Sequence, residues 1–138
     1  MKKKLILVIE DHAGLRMVEG MFLRNYFEVV TKEDGLGGII WMSKGNIPDL
    51  IVLDLMMPRL NGVEFLINLK SSGIFRNIPV IVVSGDEEKD IIDQCYSLGI
   101  ANYLVKPFSP RNLYEKIQEI LEEDNLPKID TINQVISN

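Results

Sequence analysis

Three strand-length runs of unbroken apolar residues constrain this chain more than any other feature. They are Leu5-Ile-Leu-Val-Ile9, Leu50-Ile-Val-Leu53 and the Val80 to Val83 part of Ile78-Pro-Val-Ile-Val-Val83. A strand with one wet face alternates apolar and polar residues, so a run without alternation belongs to a strand covered on both sides, as in a parallel sheet flanked by helices. Two further runs, Phe27-Glu-Val-Val30 and Ala101-Asn-Tyr-Leu-Val105, have the same length. The first of these is the more polar and is placed at a sheet edge. Between the runs, apolar residues recur at helical spacing: Leu15, Val18, Phe22; Phe65, Leu66, Leu69; Ile91, Cys95, Leu98; and Leu113, Ile117, Ile120, Leu121. Gly35 to Lys44 is a weaker helix, since Gly37 and Gly38 each cost about 1 kcal/mol relative to alanine. The chain thus reads as βα five times over. Right-handed crossovers then give an α/β fold: a doubly wound five-stranded parallel sheet with helices on both faces.

Residues 1–124 are expected to form this one domain. A chain of 138 residues leaves no room for a second. Residues 125–138 read as a tail or linker stub, in which Pro127 breaks the preceding helix and Ile129, Ile132, Val135 and Ile136 could form an amphipathic turn or two. Met17 and Met21 are expected to fill core space, and Cys95, the one cysteine, to lie on an apolar stripe rather than act as a redox sensor. Trp41 reads equally as packing or as an exposed contact. With 15 Lys+Arg against 20 Asp+Glu and no basic stripe, direct nucleic-acid binding is disfavoured. The start Lys2-Lys3-Lys4 is a solvated end, because Glu10-Asp11 cuts the following apolar run too early for a secretory or membrane segment. The expected location is cytoplasmic.

In open parallel sheets the site lies beyond the carboxyl ends of the strands. The residues that follow the apolar runs are Glu10-Asp11, Asp54, Ser84 and Lys106. Three carboxylates, a hydroxyl and an ammonium therefore converge on one rim. Two carboxylates about 4 Å apart repel by about 4 kcal/mol at an effective dielectric of 20, so such a cluster needs a proton or a cation. All-oxygen donors favour a hard divalent ion, and Mg2+ fits because it uses one or two protein carboxylates and completes its shell with water and phosphate oxygens. With Lys106 and Ser84 opposite, the rim suits a phosphoryl group, and an in-line carboxylate can accept it covalently. Taken singly, each residue has a plainer reading: Asp11 caps a helix from Ala13, Ser84 caps a helix from about Glu87, Asp54 is a turn residue and Lys106 a surface side chain. None of these explains all four together. His12, the one histidine, is expected to face solvent.

The pair Glu10-Asp11, the run Asp54-Leu-Met-Met-Pro58 followed by Gly62, Ser84, and Lys106-Pro107-Phe108 together resemble the response-regulator receiver domain of two-component signalling, over roughly residues 4 to 122. The resemblance implies a flavodoxin-like sheet in strand order 2-1-3-4-5. It implies Asp54 as phosphoacceptor; Asp11, Asp54 and the Met56 backbone carbonyl as Mg2+ ligands; and Glu10 acting through a metal-bound water. Lys106 would contact the phosphoryl group and precede a cis bond to Pro107, while Ser84 and Tyr103 would be the switch residues. Glu stands at the first acidic position where Asp is commoner, and Gly85 follows Ser84 where alanine is frequent. Met56 and Asp86 occupy the two variable positions beside the phosphoryl site.

The implied partners are a histidine kinase or histidine phosphotransfer protein as donor and a protein target docking on residues 87–122, with phosphorylation-dependent homodimers as a further expectation. Neither nucleic acid nor membrane is expected as a partner. The chain would not be an enzyme, catalysing only its own phosphorylation and dephosphorylation. A magnesium phosphohydrolase with an aspartyl nucleophile is a rival, but Met56 stands where such enzymes place a second aspartate. The remaining alternatives are a phosphorylation-independent interaction module and a fragment of a longer regulator or hybrid kinase.

Overall fold

The computed structural model describes residues 2–56 and 61–125. Strands and helices alternate as β1 (Leu5–Ile9), α1 (Ala13–Leu23), β2 (Glu28–Lys32), α2 (Gly35–Ser43), β3 (Leu50–Asp54), α3 (Gly62–Ser71), β4 (Val80–Ser84), α4 (Lys89–Ser97), β5 (Asn102–Val105) and α5 (Pro110–Asn125). All strand pairs are parallel, in the order β2-β1-β3-β4-β5. The unbroken apolar runs are the three central strands, and every residue of β3 and β4 is buried. The two interrupted runs are the edges, β2 and β5.

Because side chains alternate along a strand, the central strands feed two cores. Leu7, Ile9, Ile51, Leu53, Val80 and Val82 point to the side of α2, α3 and α4, where they meet Met42, Phe65, Leu66, Leu69 and Cys95. Ile6, Val8, Leu50, Val52, Ile81 and Val83 point to the side of α1 and α5, where Leu23, Leu113, Ile117, Ile120 and Leu121 cover them. Cys95 is a buried free thiol, and Trp41 is half-buried against the first core. The tail of residues 126–138, and the Met57-Pro58 part of the motif after Asp54, lie outside the described residues.

Helix α1 departs from expectation. Met17 and Met21 are 61% and 64% exposed, and Val18 is also exposed, so none of the three fills the core. The buried face of α1 carries Glu19, Gly20 and Leu23 instead. A carboxyl and a glycine on the inner face, with two methionines outside, shift the apolar stripe by about 100°, the rotation of one residue in a 3.6-residue turn. The cap also differs: His12, not Asp11, precedes the first helical residue, and its Nδ1 accepts from the Leu15 N–H at 3.0 Å. His12 is exposed, as expected. Helix α4 starts at Lys89 after Glu88, without a side-chain cap bond, so Ser84 does not cap it.

Candidate functional site

Parallel pairing brings all strand carboxyl ends to one edge, and the strand order puts β1, β3, β4 and β5 side by side there. In register, Ile9 lies beside Leu53, Asp54 beside Val83 and Ser84 beside Val105, so the residues that end each strand form one rim. Glu10 and Asp54 are buried there and Asp11 is exposed. One oxygen from each of the three carboxylates lies within 4.8 Å of the others. The Lys106 ammonium reaches them from β5, 2.9 Å from Glu10 Oε1 and 3.6 Å from Asp54 Oδ1.

Local bonds hold each group. The Arg16 guanidinium, one turn into α1, donates to the backbone carbonyl of Glu10 at 2.9 Å and that of Asp11 at 3.3 Å, fixing the turn out of β1. The His12 N–H donates to Glu10 Oε2 at 3.2 Å. After β3, the Leu55 N–H donates to Val83 O and the Gly62 N–H to Leu55 O, while the Met56 N–H donates to Asp54 Oδ1 at 3.2 Å. A Cβ at Gly62 would sit 2.6 Å from Leu55 Cα and 2.8 Å from Leu55 O, so only glycine lets α3 start this close to the loop. On the far side, the Lys106 N–H donates to Ser84 O at 2.8 Å and the Lys106–Pro107 peptide is cis.

The electrostatics follow from this crowding. Burial, followed by the hydrogen bonds and charge of its acidic neighbours, pushes Asp54 up to about 8 despite Lys106. Asp11, more open to water, is held below the ordinary carboxylate value, chiefly by its hydrogen bond with Asp54. Asp54 is thus the group that holds a proton when no cation is present, and Asp11 the acceptor facing it. Burial works against the Lys106 charge, but the Glu10 hydrogen bond and the nearby carboxylates outweigh it and raise its value. Oxygen donors, a buried carboxyl shedding its proton with difficulty, and one exposed carboxylate at the mouth suit a hard divalent cation. Glu10, Asp11 and Asp54 are the side chains that could hold it.

Ser84 and Tyr103 meet through Asp86. The Asp86 N–H donates to Ser84 Oγ at 3.1 Å, and the Tyr103 hydroxyl donates to Asp86 O at 2.8 Å, with the ring buried against the α2–α4 core. Of the sequence-derived set, then, Glu10, Asp11, Asp54 and Lys106 form one cluster, while Ser84 and Tyr103 each bond to the Asp86 backbone beside it. Met56 lies at the mouth with its side chain 68% exposed. Sequence reasoning missed Arg16, whose one signal was a cation one turn into the helix after an acidic pair. It also missed Glu19, a carboxylate on the wrong side of a misread stripe.

The response regulator receiver domain model matches residues 6–118. The chain belongs to that family. Relatives of this receiver domain include the chemotaxis protein CheY-3 of Vibrio cholerae, 29% identical over 88% of this chain and 94% of that one. The phosphate regulon transcriptional regulatory protein PhoB of Escherichia coli is 34% identical over 84% of this chain. The hybrid signal transduction histidine kinase D of Dictyostelium discoideum is 33% identical over 86%. The receiver domain spans about half of PhoB and 8% of the hybrid kinase. Among solved structures, the phosphorylated cyanobacterial phytochrome response regulator RcpA matches with a TM-score of 0.75 at 30% identity, over 87% of this chain and 92% of that one. The Mn2+-bound form of the response regulator Rcp1 matches with a TM-score of 0.75 at 28% identity, over 91% and 99%. The expected strand order and the expected family both hold.

Proposed function

We propose that this receiver domain takes a phosphoryl group onto Asp54 from a phosphohistidine of a kinase or phosphotransfer protein. The observation that carries the reading is the buried Asp54 carboxyl set among Glu10, Asp11 and Lys106 at the carboxyl ends of the strands. An Asp54 oxygen forms a bond to phosphorus as the phosphorus–nitrogen bond breaks, the electron pair leaving on the imidazole, which takes up a proton; the product is an aspartyl phosphate. Lys106, a cation already within reach of Asp54 and Glu10, offsets charge on the transferring oxygens. A Mg2+ ion held by Asp11, Asp54 and the Met56 carbonyl, with Glu10 acting through water, supplies further charge neutralisation when bound. The exposed Met56 side chain and Asp86 flank the mouth, where they govern the approach of water.

Ser84 Oγ is free to turn from the Asp86 N–H toward a phosphoryl oxygen, which loosens the Asp86 link to Tyr103. That shift moves the α4, β5 and α5 surface between two populations, which a target protein reads over residues 87–122, either in trans or in a homodimer. The reaction is self-catalysed and single, so the chain acts as a signalling acceptor rather than a turnover enzyme. An acidic chain with no basic stripe supports a protein target over nucleic acid. We place its site of action in the cytoplasm. No helix among the described residues is long and apolar enough to cross a membrane.

Intact mass after incubation with acetyl phosphate or phosphoramidate tests the reading. The wild type should gain one phosphoryl group with Mg2+ present and none in chelator, and Asp54→Ala should gain none. A wild type that binds Mg2+ yet never acquires the adduct, even in rapid-quench sampling, is instead a phosphorylation-independent interaction module.

A further inference from the structure

Glu19 is fully buried on the inner face of α1, and neither carboxylate oxygen has a hydrogen-bond partner among the described residues. Four residues on, Leu23 lies in the apolar core between α1, α5 and the sheet, so Glu19 is set against that same core, where α5 presents Leu113 and Ile117. Burial there strongly disfavours an ionised carboxylate without a compensating cation. The charged groups that act on it are Glu10, from the end of β1, and Lys106, from the end of β5. Neither is within hydrogen-bonding distance of it. The next residue, Gly20, faces Thr31 of β2, where a Cβ would lie 3.3 Å from Thr31 Cγ2, and Thr31 pairs in register with Val8, two residues before Glu10; Glu19 therefore lies behind the Glu10, Asp11 and Asp54 cluster rather than in it.

We propose that Glu19 is a proton-binding residue linked to this pocket: it holds its proton more tightly while the pocket holds no cation and releases it more readily to solvent as positive charge is added beside Glu10 and Lys106. Occupancy of the pocket and external pH then act on each other through a residue that touches neither metal nor phosphoryl group. Burial, with a smaller contribution from Glu10, pushes the Glu19 carboxyl up to about 7, where a modest added field changes its state. A cation held at Asp11 and Asp54, beside Glu10, offsets the repulsion from Glu10 and favours the carboxylate form. Linkage requires the converse: ionised Glu19 strengthens cation binding by the factor by which the cation weakens proton binding. This inference rests on the reading of the pocket as a cation and phosphoryl site.

The test is carboxyl 13C NMR of the full chain from pH 5 to 9, with and without saturating Mg2+, together with calorimetric Mg2+ affinities of wild type and Glu19→Gln at pH 6 and 8. The Glu19 signal should titrate near pH 7, and Mg2+ should lower its midpoint by roughly 0.7 unit, equivalent to about a fivefold gain in Mg2+ affinity. In Glu19→Gln that part of the pH dependence should vanish while Mg2+ still binds. Sequential assignment in the wild type keeps the titration independent of whether the variant folds. A midpoint in the ordinary carboxylate range, or one near 7 that Mg2+ does not move although calorimetry shows it bound, overturns the linkage and leaves the functional reading intact. Absence of any Mg2+ binding overturns the functional reading and this inference with it.

Discussion

Asp54 is a destabilising group in the absence of a cation, and its cost has a definite pH dependence. Its value in the fold, about 8, lies above the ordinary 3.8, so the folded state holds the proton more tightly than the unfolded one. Stability is then fully present below about pH 4 and is lost as pH rises toward 8. Asp54→Asn removes that loss. In metal-free buffer, the stability advantage of Asp54→Asn over wild type should grow by on the order of 3 kcal/mol between pH 5 and pH 8, read from urea melts at both values. An advantage that does not change with pH means that Asp54 is ionised throughout. This is the residue-level part of the site that the sequence made legible, since the clash among Glu10, Asp11 and Asp54 follows from three acidic strand ends. What it concealed was which carboxyl yields. That depends on Asp11 facing water while Asp54 does not, and exposure at a loop is settled by tertiary packing.

Elements were legible in proportion to how strongly burial disciplines their composition. The central strands β1, β3 and β4 must be apolar on both faces, and they stand out unaided. Helices α3 and α5 carry clean stripes, and Phe65, Leu66, Leu69, Leu113 and Ile117 are buried as expected. Helix α1 hid its face because Glu19 and Gly20 occupy inner positions while Met17 and Met21 face out, so a reading that seeks apolar spacing selects the wrong side. The start of α3 is a different case. Gly62 belongs to the recognisable run after Asp54, but the reason for it is a backbone approach visible only in three dimensions. Gly62→Ala has to push α3 away from Leu55 and should cost about 1–3 kcal/mol by chemical denaturation. Gly73→Ala, with open space around the position, should stay within about 0.5 kcal/mol of wild type. Equal effects at the two sites mean that the α3 approach is not tight.

At the scale of the molecule, the pocket joins the ends of four strands, so an ion bound there stabilises the whole fold rather than one loop. Mg2+ at a hundredfold excess over its dissociation constant adds about 2.7 kcal/mol. For a domain of this size that is roughly a 10 °C rise in the melting midpoint. The wild type should show this rise at pH 8, and Asp11→Asn should lose most of it. An unchanged rise in Asp11→Asn places the ion elsewhere.

The strand order has a consequence for the growing chain. Glu10 and Asp54 emerge early, but the cation that pairs with them directly follows β5, the last strand among the described residues, which joins the sheet only at the β4 edge. A ribosome-bound chain that stops short of Lys106 carries the three acidic groups without the ammonium that pairs with Glu10 and Asp54. Under the proposed function, the pocket becomes competent only once β5 has joined the sheet, and a copy cut before Lys106 could compete with the whole domain for no phosphoryl group.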